Sequence, residues 1–454
     1  MKKILILTDI ILLYSALALM ILIRYPGSFL FHYGIHLVPF SIIFALWILT
    51  FYISNLYGDP LLRNNVAFYS ALSSASLIAA ALSVVFFYLI PLYGITPKTN
   101  LFIFSIIFSV LVAATRFFIN DLRERKFKKL LILVGVNQQS IELAKFIKDN
   151  PQLGYKLHSV IDIATQGVLP LSYENLSEFG IIQDINRVRH IINEEKIHTI
   201  VVSPDAYEIP ELIDSFFKAL ERGIVFHNLA YFYEYITGRV PLDAINQIWF
   251  LANISEGKKR FYEWIKRGLD IFLGIIMAIP FLISLPILAL MIRFDSPGPV
   301  FYRQKRVGKS GQAFEMIKLR TMRQDAERQS GAVWTQENDP RITRLGRFLR
   351  KTRLDELPQI WNILKGEMSF IGPRAERPEF HRTLVEKLPF YEERYLVKPG
   401  ATGWAQLQKS YYASVADTKE KLQFDLYYIK NRSLLLDLDI LLRTINLALR
   451  RGGR

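Results

Sequence analysis

Residues 338–374 read NDPRITRLGRFLRKTRLDELPQIWNILKGEMSFIGPR. Two adjacent carboxylates, Asp355 and Glu356, lie between an arginine-rich segment and a Gly372-Pro373-Arg374 turn. From Leu357 the apolar residues recur as Leu357, Ile360, Trp361 and Leu364, which marks one face of an amphipathic helix. Pro358 belongs in the first turn of that helix, where its missing N–H costs nothing. The helix is therefore expected to begin at or just before Asp355. There the acidic pair sits near the positive end of the dipole and its free N–H groups, a place that also receives phosphate oxygens. Taken alone, an Asp-Glu pair in a first turn is most often a cap. With arginines around it, the pair also suits a Mg2+ ion bound to a diphosphate.

Moving outward, FYRQKRVG (301–308) and FEMIKLRTM (314–322) precede this stretch, and KPGATGWAQ (398–406) follows it. With RLDELPQIWNILKGEMSFIGPR between them, these blocks resemble, in order, the monotopic polyprenyl-phosphate phosphoglycosyl transferases in their large form. Those are the bacterial sugar transferases that initiate exopolysaccharide and O-antigen synthesis, and the resemblance covers roughly residues 260–450. It implies a catalytic unit in which Asp355 attacks the β-phosphorus of a nucleoside diphosphate sugar, a UDP-sugar, and passes the phosphosugar to undecaprenyl phosphate. Glu356 then helps bind Mg2+ or manages the proton, so Asp355 and Glu356 are the expected metal ligands. Lys318 and Arg320 alternate with apolar neighbours and are expected on one strand face; beside the catalytic block that face becomes a phosphate contact. Arg353 and Arg374 join them, since a guanidinium grips phosphate with two bonds. The family commonly places Pro after this last arginine, whereas this chain has Ala375.

The apolar run Ile271–Ile292 is long enough to cross a bilayer, yet basic residues flank both ends: Lys258, Lys259, Arg260, Lys266 and Arg267 before it, Arg293, Arg303, Lys305 and Arg306 after it. Charges on both sides argue that both ends face the cytoplasm. Pro280 and Pro286 interrupt the helix, and Ser284 is placed to satisfy a freed backbone carbonyl. A segment that enters, bends and returns meets these constraints. The resemblance implies the same re-entrant element, about residues 264–293, with Lys266, Arg267 and Asp270 as its entry motif. The family's adjacent Ser-Pro pair is here Ser284 and Pro286, separated by Leu285.

Residues 1–120 carry four apolar runs, near Ile4–Ile23, Leu37–Leu56, Phe68–Tyr93 and Leu101–Phe118. Each is about long enough to span a hydrocarbon core of roughly 30 Å. Lys2 and Lys3 precede the first; Arg116, Arg123, Arg125, Lys126, Lys128 and Lys129 follow or end the fourth, which places both ends in the cytoplasm. Asp9 lies inside the first run and is either functional or tolerated near the surface. From Lys128 the texture becomes α/β. Strands are expected at Leu130–Val134, Val160–Ile163, Ile197–Val202 and Ile224–His227, with helices at Ser140–Ile147 and Ile209–Glu221. This alternation points to a small Rossmann-like parallel sheet. Its first turn has Asn137 and Ser140 where the dinucleotide fingerprint needs glycines, so a regulatory or assembly role is expected ahead of a cofactor site.

The expected architecture is a mixed membrane protein: a four-helix transmembrane bundle (1–120), a Rossmann-like α/β middle domain (121–250) and a C-terminal α/β catalytic domain (251–454) with a re-entrant membrane helix. The chain has 56 basic and 41 acidic side chains and no cysteine, and residues 258–454 alone supply the net +15. Disulfides and thiolate metal sites are thereby excluded. The basic unit wants polyanions. It carries no nucleic-acid-binding motif, and its charges accompany apolar membrane elements, so the expected partners are a UDP-sugar, undecaprenyl phosphate and the lipid bilayer, with no nucleic acid. The expected location is the bacterial inner membrane, multi-pass, with the catalytic domain on the cytoplasmic face; the large family form is compatible with a homodimer. The rival reading is a membrane-anchored nucleotide or redox sensor built on the middle domain.

Overall fold

The computed structural model describes residues 2–58, 64–90, 98–125, 128–162, 179–254, 259–323, 339–408 and 414–451. Tyr93, Lys126, Ile163, Lys258 and Asn338, named above at element ends, flanks or boundaries, lie outside them. The chain divides into two compact units, Met1–Phe232 and Tyr233–Arg454.

The first unit opens with four long helices, α1 (Lys2–Arg24), α2 (Phe29–Ile53), α3 (Val66–Leu89) and α4 (Lys98–Arg125). All four are long and apolar enough to cross a membrane. Aromatic rings form their common core: Phe40, Phe44 and Trp47 of α2 meet Phe104 and Phe108 of α4, with Trp47 edge-on to Phe108 at 5.0 Å. Arg116 differs from its reading as a flanking charge. It is buried inside the bundle, where its Nη2 donates to Asp9 Oδ2 at 2.7 Å, joining the first helix to the fourth. The pairing explains how an aspartate stands in an apolar run, since a charge in hydrocarbon is tolerated when paired.

The same unit continues with β1 (Lys129–Val134), α5 (Gln138–Asp149), β2 (Tyr155–Ile161), β3 (Ile181–Ile182), α6 (Ile185–Glu194), β4 (Thr199–Val202), α7 (Pro210–Leu220) and β5 (Val225–Asn228). The sheet is wholly parallel in the order β3-β2-β1-β4-β5. Burial on both faces accounts for the unbroken apolar runs of β1 and β4. At the first turn Asn137 Oδ1 accepts from the Ser140 N–H while Ser140 Oγ accepts from the Asn137 N–H. The two residues that replace fingerprint glycines thus form a capping box that occupies the helix mouth.

The unit boundary falls within α8 (Leu229–Thr237). The second unit follows with α9 (Gln247–Asn253), α10 (Arg260–Asp295), β6 (Phe301–Val307), β7 (Ala313–Leu319), α11 (Arg344–Thr352), α12 (Gln359–Lys365), β8 (Ser369–Ile371), α13 (Pro378–Lys387), β9 (Gly400–Thr402), α14 (Trp404–Gln408), α15 (Val415–Asn431) and α16 (Leu434–Arg451). Residues 233–250, expected with the middle domain, belong here because Val240 and Leu242 are buried in the same core as Ile363, Met368, Leu422 and Leu426. β6 and β7 form an antiparallel ribbon that pairs Tyr302 with Lys318 and Arg306 with Phe314; β8 and β9 form a short parallel pair.

Helix α10 runs for 36 residues through both prolines, and Ser284 Oγ donates to the Phe281 carbonyl at 3.0 Å. Most of its middle is exposed, including Ile275, Ile279, Leu282, Ile283, Ile287 and Leu290. Its two ends are fastened to the rest of the unit. Arg267 donates to the Ile363 and Leu364 carbonyls at 2.5 and 2.6 Å, closing the C-terminus of α12. Asp270 Oδ1 accepts from Ser369 Oγ and the Phe370 N–H, both at 3.1 Å. Lys266 Nζ donates to the Ile371 carbonyl at 2.9 Å and to Asp437 Oδ2 at 2.8 Å. At the far end Leu288 and Ile292 pack with Leu319 and Leu349.

Candidate active site

The acidic pair is positioned by a sharp backbone reversal. Helix α11 stops at Thr352, Arg353 takes left-handed backbone with φ 61, and Leu354–Glu356 form one turn of 3-10 helix before α12 starts at Gln359. The carboxylates therefore precede α12 on a separate turn instead of opening it, and Pro358, with φ −60, links the two. A non-glycine residue held at positive φ is a sparsely populated conformation that its surroundings must impose. Here it points Asp355 and Glu356 inward toward β7. The helix face also differs from its expected form: Ile360 and Ile363 are buried, whereas Trp361 is exposed.

Glu356 is enclosed by three cations. Its Oε1 accepts from Arg374 Nη2 at 2.9 Å and lies 3.4 Å from Lys318 Nζ, while Oε2 lies 3.2 Å from Arg353 Nη1. Burial works to raise its pKa, but Arg374, Lys318 and Arg353 together outweigh that and hold it well below the usual carboxylate range. Asp355, only 7% exposed, has no hydrogen-bonding side chain on its carboxylate among the described residues. Burial raises its pKa, helped by the Glu356 charge and opposed by Lys318, Arg350 and Arg374. One carboxylate is therefore a fixed counter-ion, and its neighbour is a desolvated acid with open lone pairs. Burial also lowers Lys318, to about 8, against the pull of Glu356.

That value sets a testable pH limit. A lysine with a lowered pKa is charged below it and loses its proton as the pH rises through it. If Lys318 must be charged to meet phosphate, kcat/KM, which reports the free enzyme, falls about tenfold per pH unit above pH 8. Lys318→Arg, which stays protonated, is expected to abolish this alkaline limb. Unchanged limbs in both proteins would remove Lys318 as its source.

Arg374 reaches Glu356 from a turn held by three glycines. The Gly372 N–H donates to the Thr402 carbonyl and the Gly400 N–H to the Pro373 carbonyl, both at 2.9 Å. A Cβ at Gly400 would meet the Gly372 nitrogen at 2.1 Å, and one at Gly403 would meet the Gly372 oxygen at 2.2 Å. Backbone touches backbone here, which is why the 398–406 block needs glycine at these positions.

A model described as Bacterial sugar transferase matches residues 261–451, from α10 to the end of α16, and so covers every residue of this site. The chain is 40% identical over 196 residues to the Exopolysaccharide production protein PSS of Rhizobium leguminosarum bv. phaseoli, which is 41% of this chain and 96% of that protein. The chain belongs to the bacterial sugar transferase family. It is also 45% identical over 215 residues to the UDP-N-acetylgalactosamine-undecaprenyl-phosphate N-acetylgalactosaminephosphotransferase of Aeromonas hydrophila; that match spans 47% of this chain and 49% of the relative. A longer match, 27% over 363 residues and 73% of this chain, joins it to 70% of the UDP-galactose-lipid carrier transferase of Erwinia amylovora.

In this family member the expected phosphate-binding residues do not all converge. Lys318, Arg353 and Arg374 meet at Glu356; Arg320 does not. Strand β7 ends at Leu319, so the alternation that would align Arg320 with Lys318 stops one residue early. Arg320 instead caps the end of α10, donating to the Ser296 and Pro297 carbonyls at 2.5 and 3.0 Å. Lys266, Arg267 and Asp270 lie at the root of α10, clamped to α12 and β8, while Pro280, Ser284 and Pro286 lie in its middle. Arg350 of α11 donates to Thr321 Oγ1 at 2.9 Å and adds its charge to the acidic pair. Arg306, Glu376, Arg394, Lys421 and Asp425 were not legible as site-supporting residues. Only the burial of charges spread over β6, α15 and the loops reveals them.

Proposed function

We propose that the second unit transfers a sugar 1-phosphate from a UDP-sugar to undecaprenyl phosphate, the first membrane step in building an exopolysaccharide or O-antigen. An Asp355 carboxylate oxygen attacks the β-phosphorus, the bond to the bridging oxygen breaks, and UMP departs with that electron pair. A phosphate oxygen of undecaprenyl phosphate then attacks the same phosphorus, releasing Asp355 and forming undecaprenyl-diphospho-sugar. Arg374, Lys318 and Arg353 bind the diphosphate and offset charge on the transferring group. The observation that carries this reading is the open, buried carboxylate of Asp355 beside a neighbour already committed to three cations.

Among the described residues no three His, Cys, Asp or Glu side chains cluster as metal ligands. That donor set suits Mg2+ and not an all-protein cage, because Mg2+ takes one or two carboxylates and completes its shell with phosphates and water. Asp355 and Glu356 would hold it. When bound, it would neutralise the charge of the diphosphate.

The site is proposed to lie at the cytoplasmic face of the bacterial inner membrane, with α1–α4 crossing the bilayer and α10 dipping into one leaflet and returning. Gly274 lies against Leu364, and Leu288 packs toward Leu319 and Leu349 of the same unit. Leu288 stands 14 positions after Gly274, a helical rise of about 21 Å, short of the roughly 30 Å needed to cross. This supports a re-entrant anchor with both ends on one side, beside which a lipid phosphate can meet a water-soluble donor. The middle domain is assigned a regulatory or assembly role, and a homodimer is the proposed assembly; the capping box at Asn137 and Ser140 gives the sensor reading no support.

The test is intact-protein mass measurement after incubation with a UDP-sugar while undecaprenyl phosphate is withheld. The expected result is a phosphosugar adduct on Asp355 with matching UMP release. Turnover without any adduct would overturn the covalent route.

A further inference from the structure

The Arg374 side chain is about one-third exposed, so its aim depends on how firmly its backbone is held. Three consecutive carbonyls behind it are fixed from two places, the 3-10 turn that carries Arg394 and the end of β6. The Arg374 carbonyl accepts from Arg394 Nη2 at 2.8 Å, the Ala375 carbonyl from Arg306 Nη1 at 3.0 Å, and the Glu376 carbonyl from the Val307 N–H at 2.9 Å. Arg394 is the central member. Its Nη2 also donates to Asp425 Oδ2 at 2.9 Å and its Nη1 to Tyr391 Oη at 2.7 Å, with both charged side chains 2% exposed. Glu376 completes the cluster, 3.0 Å from Lys421, 3.8 Å from Arg306 and 4.0 Å from Arg394. Burial would raise its pKa, but Lys421, Arg394 and Arg306 hold it at about 2, so it remains an anion at neutral pH.

None of these buried groups faces the acidic pair directly. We propose that Arg394 is a positioning residue for the transfer reaction: anchored by Asp425, it holds the Arg374 backbone so that the Arg374 guanidinium meets Glu356 and the diphosphate at the required distance. Only a planar guanidinium serves three acceptors at once here; an ammonium is a single point on a shorter reach. A misplacement of about 1 Å at a reacting group costs on the order of a hundredfold in rate, so a small relaxation of this turn is enough to matter. The inference rests on the function proposed above.

The experiment is a double-mutant cycle on the full-length protein, reading UMP release with UDP-sugar and undecaprenyl phosphate, UDP affinity by calorimetry, and melting temperature. Arg394→Lys is expected to lower kcat by about tenfold to a hundredfold. In an Arg374→Ala background the same change is expected to cost about twofold or less, because the group it aims is gone. Tyr391→Phe removes another hydrogen bond of the same guanidinium without touching the Arg374 carbonyl, and is expected to keep turnover within about twofold. Losses that multiply in the cycle, or Arg394→Lys with wild-type turnover, would overturn the proposal. Where Arg394→Lys does not fold, Asp425→Asn runs the same cycle. A folded wild type without turnover removes the proposed function instead, and the cycle is then decided on UDP affinity.

Discussion

Asp355→Asn is expected to lower turnover by at least about 10,000-fold, the scale seen when a covalent nucleophile is removed, while the protein keeps its fold. Asparagine preserves shape but cannot form the acyl phosphate bond. The Asp355 pKa is raised in the fold. A carboxylate with a raised folded pKa stabilises most below its unfolded value and loses that contribution as pH rises through the folded value. At neutral pH the ionised aspartate therefore works against stability, and the neutral variant should melt at or above the wild type. Activity lost together with a raised or equal melting temperature identifies chemistry. Activity near wild type would remove Asp355 from the reaction.

Glu356→Gln is expected to fail differently, losing about a hundredfold to a thousandfold in kcat, the scale of removing one charge-stabilising group, and melting lower. Three cations then face a site without their anion, and breaking a buried pair typically costs about 3–5 kcal/mol. The Glu356 pKa is held low, so its contribution to stability is present above the unfolded value and disappears as pH falls through the folded one. The melting gap between wild type and variant should accordingly narrow on acidification from pH 7. Glu356 also supports the charge on Lys318, so the alkaline limb of kcat/KM should move to lower pH in the variant. A variant with the wild-type limb and wild-type melting would show that the three contacts are incidental.

The local patterns carried far. The acidic pair, the proline in the turn after it and the four apolar runs were legible because each rests on spacing within one element. Legibility stopped where an element ends or where partners are distant. Arg320 follows the alternation of β7 for one residue beyond the strand, and the chain turns there. Trp361 shares a helical face on a wheel, but α12 is only seven residues long and Ile363 takes the inward place. Arg116 reads as a membrane flank until Asp9, 107 residues earlier, is seen beside it. Arg394 and Asp425 sit in different segments, and no periodicity announces that two opposite charges bury each other. Val240 and Leu242 likewise reveal their unit only through the core they enter.

The Asp9–Arg116 pair bears on how the bundle is made. Synthesis delivers the aspartate with the first helix and its partner with the last, so any interval in lipid between the two leaves a lone ion facing hydrocarbon, at about 2.5–3.5 kcal/mol if it lies near the bilayer centre. Releasing the four helices from the insertion machinery as a group avoids that interval, and trapping chains cut before residue 116 should find the first helix still at the exit channel.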